Sequence, residues 1–313
     1  MGKEIEAAPV LKWAGGKLRL IEQMYKHMPT VYKRYYVEPF VGGGALLFWM
    51  LNHRSDLLEC VIANDKNPDL INMYKVIQTD VEALIDELTR LQNGIRNNCK
   101  DPCEYYLARR DEYNNPRTDD KVERAALMIF LNKMCFNGLY RVNKKGEFNV
   151  PFGRRPNATI FIPEVLRKDC EALKGVEFTL GDYSSARAPG FQDEACFYFD
   201  PPYRPLNPTS KFTNYTKEDF GEAEQIALAK HCQALDAEGA FLMISNADTT
   251  VRNPQDHFYK EWFPSPRFHH HKVLAPRSVN ANPFKRGAIP EVLITNYVPD
   301  CPRNNRAKSH NRR

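Results

Sequence analysis

Apolar residues recur along this chain with two different periods, and the alternation between them predicts its elements. From Arg34, RYYVEPFVGGGALLFWML reads as a short strand, a glycine turn and a helix beginning near Ala45, and ECVIANDKN then reads as a second strand ending at Asn64-Asp65. Over residues 69–92, Leu70, Tyr74, Ile77, Val81, Leu84, Leu88 and Leu91 fall three or four residues apart, which predicts an amphipathic helix. Pro102, Pro116 and the polar NNPRTDD mark loops. Residues 121–136, KVERAALMIFLNKMCF, read as a largely buried helix, after which NGLYRVNKKGEFNVPFG alternates as strand, turn, strand with Lys145-Gly146 at the tip. Four later runs, GVEFTLGDY, CFYFD, GAFLMIS and EVLITNY, read as strands, with helices over about 163–173 and 217–237 between some of them. The pattern is α/β, with a helical and hairpin region inserted between about 68 and 160.

One of these strands ends unusually. CFYFD carries straight into Pro201, Pro202 and Tyr203, and because neither proline can extend a ladder the strand must stop there. Asp200 is thereby held at the C-terminal rim, where ligands bind in open α/β sheets. Its carboxylate and the Pro201 carbonyl can both accept from the two hydrogens of one exocyclic amino group, and Tyr203 offers an aromatic face to the attached base. A strand-end Asp in a plain turn is the bland alternative.

Two glycine-rich stretches are weaker signals. EPFVGGGALL follows a strand and opens a helix, where Gly42 and Gly43 would let a cofactor approach the backbone and helix terminus, yet Leu47 stands where a dinucleotide fingerprint requires its third Gly. Asp65, closing the next strand, is placed to accept from ribose hydroxyls; a plain tight turn is the competing reading for the glycines. KWAGGK is not a phosphate loop, since Leu11 replaces the first required Gly and Leu18 the Ser or Thr after Lys17.

Charge changes the picture further. The formal net charge of +5 equals that of residues 301–313, CPRNNRAKSHNRR, a basic tail read as solvated and disordered. A second basic block, Lys133 to Arg155, holds six Lys or Arg against one Glu and interleaves Phe136, Tyr140, Phe148 and Phe152, a pattern that suits nucleic acid. The N-terminus has no signal-peptide core and no segment suits a bilayer, so the chain is expected to be cytoplasmic and not membrane-bound. The cysteines show no zinc spacing, and His269, His270 and His271 have no further ligand nearby, so no metal is expected.

KWAGGK, EPFVGGGALLF, FNGLYRVNKKGEFNVPFGR, GDY, FDPPY and EVLITNY, in that order from about Leu11 to Tyr297, resemble the Dam-type, D12-class DNA adenine-N6 methyltransferases that modify GATC, including those of restriction-modification systems. The resemblance implies a Rossmann-like sheet dependent on S-adenosyl-L-methionine, with a catalytic domain over 1–67 and 161–300 and a target-recognition insert over 68–160. It implies cofactor contacts by Trp13, Lys17, Gly42 and Gly43, with Asp65 on the ribose and Asp182, followed by Tyr183, on the adenine. Asp200 would lie between cofactor and target base, with Pro201, Pro202 and Tyr203 completing the catalytic motif. Leu139, Arg141, Asn143 and Pro151 match positions that read bases in double-stranded DNA, and Lys12 is a further DNA contact. The basic tail exceeds the family pattern. A DNA-binding protein on an inactive scaffold, or an amino-methyltransferase with another nucleic-acid target, are the competing readings.

Overall fold

A computed structural model describes residues 5–13, 15–18, 20–29, 33–55, 58–116, 118–204, 220–251, 253–275 and 289–299. After a short α1 (Ile21–Met24), β1 (Tyr35–Glu38), the glycine turn, α2 (Ala45–His53) and β2 (Cys60–Asp65) follow in the predicted order. The periodic stretch after β2 is two helices, α3 (Pro68–Thr79) and α4 (Val81–Asn93), because Asp80 leaves the helical region at φ −131°, ψ 35° while its carboxylate takes the Thr79 hydroxyl. The break lets each helix lay its own apolar stripe on the helix over Lys121–Met134.

Between the two prolines the chain forms α5 (Pro102–Asn114), which weak periodicity conceals: only Tyr106 and Tyr113 of it are buried. Its start is nevertheless conventional, with Asp101 accepting from the Cys103 N–H ahead of Pro102. The buried helix α6 (Lys121–Met134) ends two residues short of the expected 136, where Cys135 turns extended, and α7 (Pro163–Leu173) leads into β3 (Val176–Leu180). The intervening hairpin is reduced to two antiparallel bridges, Cys135 to Phe152 and Val142 to Phe148, around a turn closed by Asn143 and Glu147. A continuous ladder does not form because α5 side chains take its backbone groups: Asn114 bonds the N–H and C=O of Phe148, and the Tyr106 hydroxyl donates to the Val150 carbonyl.

β4 (Ala195–Phe199), α8 (Glu222–Ala237), β5 (Phe241–Ala247), α9 (Phe258–Trp262), β6 (His269–Ala275) and β7 (Ile289–Thr295) complete the described elements. The first part of the helix expected from 217, and the basic tail, lie outside the described residues. β6 was hidden by its histidines, which look like ligands but serve the strand: His270 Nε2 meets the Phe263 carbonyl, and His271 meets Thr295 and packs at a tilt against the His27 ring.

The strands form one sheet in the order β3-β2-β1-β4-β5-β7-β6, parallel from β3 through β5, with β7 antiparallel to both neighbours. Alternate strand residues feed two cores. Tyr36, Val61, Phe178 and Tyr198 join α2, α3, α4 and α6 on one side, while Val37, Ile62, Phe197 and Phe199 join α8 and α9 on the other. The first core continues without a break from the sheet into α5 and α6, so these helices are braced on the sheet. No described helix is long and apolar enough to cross a membrane.

Candidate active site

Parallel strands stop at one rim, and that is where the predicted residues gather. All five residues of β4 are buried, and the chain leaves it through Asp200, Pro201, Pro202 and Tyr203. The corner is pinned from two sides: Gln225 on α8 donates to the Pro202 carbonyl at 2.7 Å, and Asn246 on β5 accepts from the Arg204 N–H at 3.1 Å. Arg204 in turn places its guanidinium on both oxygens of Asp256.

Asp200 has two partners, and both converge on one oxygen. Lys17 Nζ lies 2.8 Å from Oδ1, and the Ser245 hydroxyl donates to the same Oδ1 at 3.0 Å. Oδ2 therefore keeps its lone pairs uncommitted among the described residues. Lys17 itself is only 2% exposed; its ammonium also donates to the Gly15 carbonyl at 2.7 Å, stands 4.0 Å from Glu291 and lies 4.7 Å from the centre of the Tyr203 ring. The Tyr203 hydroxyl donates to Glu291 at 2.7 Å.

Glu291 is absent from the sequence reading, as is Glu38, and topology explains both omissions. Because β7 runs antiparallel, its first residues reach the rim where β4 ends, and Glu38 closes β1 beside it. Glu38 is buried and accepts from the Tyr36 hydroxyl; burial pushes its carboxyl up to about 8, against the pull of that hydrogen bond and with the help of the nearby Asp200 charge. Such a group stabilises the fold fully below its ordinary value of 4.5, and that contribution disappears as pH rises through about 8. Glu38→Gln does not titrate. Parent stability relative to this variant should fall by a few kcal/mol between pH 5 and 9 in urea unfolding, roughly the size that such a displaced carboxyl implies. A constant difference across that range would show that Glu38 is ionised throughout.

The glycine turn is shaped around Trp13. Gly42 adopts φ 48°, and a Cβ on Gly43 would meet the Trp13 Cβ at 2.7 Å, so neither position has room for a side chain. Asp65 closes β2 beneath this turn, accepting from the Gly42 N–H at 3.1 Å and the Asn67 N–H at 2.9 Å. Burial raises its carboxyl above the usual range while those N–H groups hold it down. Farther along the rim Asp182 caps the short turn at Tyr183, accepting from the N–H and hydroxyl of Ser184. Tyr183 stacks on Phe40 at 5.4 Å, and Phe220 meets both rings edge-on. Phe40 and Phe220 are aromatic partners that spacing alone could not associate with Tyr183.

S-adenosylmethionine suits this donor set. A carboxylate has about four lone-pair sites, so Asp65 can take a ribose hydroxyl in addition to its backbone N–H donors. Asp182 beside aromatic rings provides an acceptor and flat faces for a purine amino group and ring.

The predicted DNA-contacting residues form a second group, joined to the first through KWAGGK. The Asn132 amide on α6 bonds the N–H and C=O of Lys12, both at 2.9 Å, while the Lys12 ammonium reaches the Asn137 carbonyl. Trp13 stacks on Tyr140 at 5.1 Å. Arg141 is exposed and its Nε donates to Asn149 at 2.7 Å. Asn143 is spent locally, since its oxygen accepts from the N–H groups of Lys145 and Glu147 and its NH₂ donates to Glu147. Leu139 is half-buried and its carbonyl faces the Cys135 thiol; Pro151 is exposed, and its carbonyl accepts from the Phe136 N–H. Most of the interleaved aromatics are core: Tyr140 and Phe148 are buried and Phe152 packs half-buried against the same core, whereas Phe136 stands 54% exposed. Lys133 is also turned inward, where burial lowers its pKa.

A mostly parallel sheet with a glycine turn, a carboxylate closing the next strand and an Asp-Pro-Pro-Tyr corner on one rim is an arrangement that suits methyl transfer to an amino group. Comparison with known proteins gives the finer assignment. The model of the D12 class N6 adenine-specific DNA methyltransferase family matches residues 13–279, and the chain belongs to that family. It is 44% identical over 301 residues to the type II methyltransferase M.MjaIII of Methanocaldococcus jannaschii, covering 94% of this chain and all of that one. It is 35% identical to the DNA adenine methylase of Haemophilus influenzae, over 93% of this chain and 94% of that protein. With the DNA adenine methylase of Escherichia coli K12 the identity is 33%, over 92% and 95% of the two chains. The protein is thus an adenine-specific DNA methyltransferase, its substrate is DNA, and its methyl donor is S-adenosylmethionine.

Proposed function

We propose that the chain methylates the adenine amino group of GATC in double-stranded DNA, drawing the base out of the stack into the Asp200–Tyr203 corner. The observation that carries this reading is the Oδ2 of Asp200, uncommitted among the described residues, beside the Pro201 backbone and the Tyr203 ring. The amino nitrogen of adenine shares its lone pair with the ring and is a poor nucleophile. When its two hydrogens are accepted by Asp200 Oδ2 and the Pro201 carbonyl, the nitrogen is drawn toward tetrahedral geometry and its growing positive charge is stabilised. The bound cofactor supplies an electrophilic methyl on a sulfonium. Lys17 and Ser245 fix the carboxylate plane so that the accepting oxygen stays aimed. A stacked adenine cannot reach this rim, and unstacking costs a few kcal/mol, which stacking on Tyr203 offsets.

In this reading Trp13, Lys17, Gly42, Gly43, Asp65, Asp182 and Tyr183 hold the cofactor, and residues 68–160 provide target recognition for a catalytic domain of 1–67 and 161–300. Support for GATC comes from the run FNGLYRVNKKGEFNVPFGR, whose Arg141 keeps guanidinium hydrogens available beyond the Asn149 contact. Leu139 and Pro151 flank it, Lys12 adds a cation from the cofactor side, and Asn143 serves by shaping the turn. Incubating plasmid with the enzyme and S-adenosylmethionine, then cutting with GATC nucleases of opposite methylation sensitivity, tests the target. Methylated plasmid with unprotected GATC sites would assign another sequence.

Arg141→Ala should relax discrimination at one guanine by about 1–3 kcal/mol, the usual worth of a bidentate Arg–guanine pair. Lys144→Ala should weaken all duplexes alike and flatten the salt dependence. Competition between cognate and scrambled duplexes separates the two. Equal loss on both with Arg141→Ala would make it a phosphate contact.

A further inference from the structure

We infer that Glu291 is a positioning residue of the methyl-transfer site, holding the Tyr203 ring by its hydroxyl in the plane against which the target base stacks. The inference rests on the base-capture reading above. Its ground is the way the ring is fixed. The backbone ties from Gln225 and Asn246 orient the corner but leave the Tyr203 side-chain torsions free. Two contacts settle those torsions: the phenol donates to Glu291 Oε2 at 2.7 Å, and Lys17 lies over the ring at 4.7 Å. With the ammonium on one face, the opposite face is the one left for a base.

The placement of Glu291 makes the anchor rigid. It sits within β7, in register with Ala247 of β5 and Val273 of β6, so its backbone is held by strands on both sides. Its side chain is only 11% exposed, and a carboxylate there is unfavourable unless it is bonded or paired. The described partners of its Oε2 are the Tyr203 hydroxyl and, at 4.0 Å, Lys17. Asp200 and Tyr203 thus share Lys17 as a cation and are tied to paired strands, Asp200 to Ser245 of β5 and Tyr203 to Glu291 of β7, which couples the oxygen that accepts the amino hydrogen to the ring that receives the base.

The test uses the full chain with S-adenosylmethionine and a duplex whose methylated adenine has first been mapped and then, for the binding arm, replaced by 2-aminopurine. Glu291→Leu should lower kcat about 10- to 100-fold, as small misplacements of a reacting group do, with KM for the cofactor changed less than about twofold. It should also diminish the fluorescence rise on DNA binding. Glu291→Gln keeps an oxygen for the phenol and should recover most of that rise, which removes misfolding as an explanation. In a Tyr203→Phe background Glu291→Leu should have little further effect on kcat. Full kcat and full fluorescence in Glu291→Leu, or additive losses in the double variant, would overturn the inference. A parent enzyme that methylates the mapped adenine with no fluorescence rise would instead overturn base capture, and the kcat cycle would still judge the Glu291–Tyr203 contact.

Discussion

Asp200→Asn should slow methyl transfer by about 10²–10³-fold, the usual loss when one preorganised electrostatic partner of a transition state is removed, while DNA binding should change little. The asymmetry follows from where the charge is needed. Asn has the same shape, and the corner's ties run through Pro202, Gln225, Arg204 and Asn246 rather than through the carboxylate. What would disappear is the negative charge proposed to face the amino nitrogen as it becomes cationic, and an amide NH₂ turned toward the substrate would oppose the amino hydrogens. Single-turnover transfer at saturating cofactor reads this step without product release. A near-parental rate in that assay would remove Asp200 from the reaction.

Much of this corner was legible in the sequence because it is local. Two prolines after an apolar strand fix where β4 ends, and the sheet places its end at the ligand rim whatever the distant chain does. The glycine turn with Asp65 was readable for the same reason, each half ending a strand. Glu291 was not readable, since its proximity to Tyr203 depends on β7 running antiparallel, which strand preference cannot signal. Asp80 shows another limit: the apolar period runs through 69–92 unbroken, yet one residue outside the helical region turns one helix into two. The basic block shows a third. Spacing cannot separate aromatics that face DNA from those that pack, and of the four only Phe136 is strongly exposed, while Tyr140 stacks on Trp13 at the start of the chain.

Lys17→Met is the second large effect, and it falls on stability as well as rate. Lys17 is 2% exposed and is the cation set between Asp200 at 2.8 Å and Glu291 at 4.0 Å. Met keeps the length of the apolar stem but leaves two carboxylates near one another with only hydroxyl donors from Ser245 and Tyr203. Removing one partner of a buried pair costs about 3–5 kcal/mol, and water reaching the partly exposed Asp200 places this case toward about 3. Urea unfolding of the parent and variant measures the loss. Methyl transfer should fall too, because the oxygen that accepts the amino hydrogen is no longer held by its opposite oxygen. The discriminating experiment is the double variant Lys17→Met/Asp200→Asn, in which both members of the pair are neutral. If the ion pair is the cause, the double variant is more stable than Lys17→Met alone, since no unpaired charge remains on that oxygen. Stability losses that simply add would show that Lys17 contributes by packing its stem, and the cation at this site would then have no share in holding Asp200.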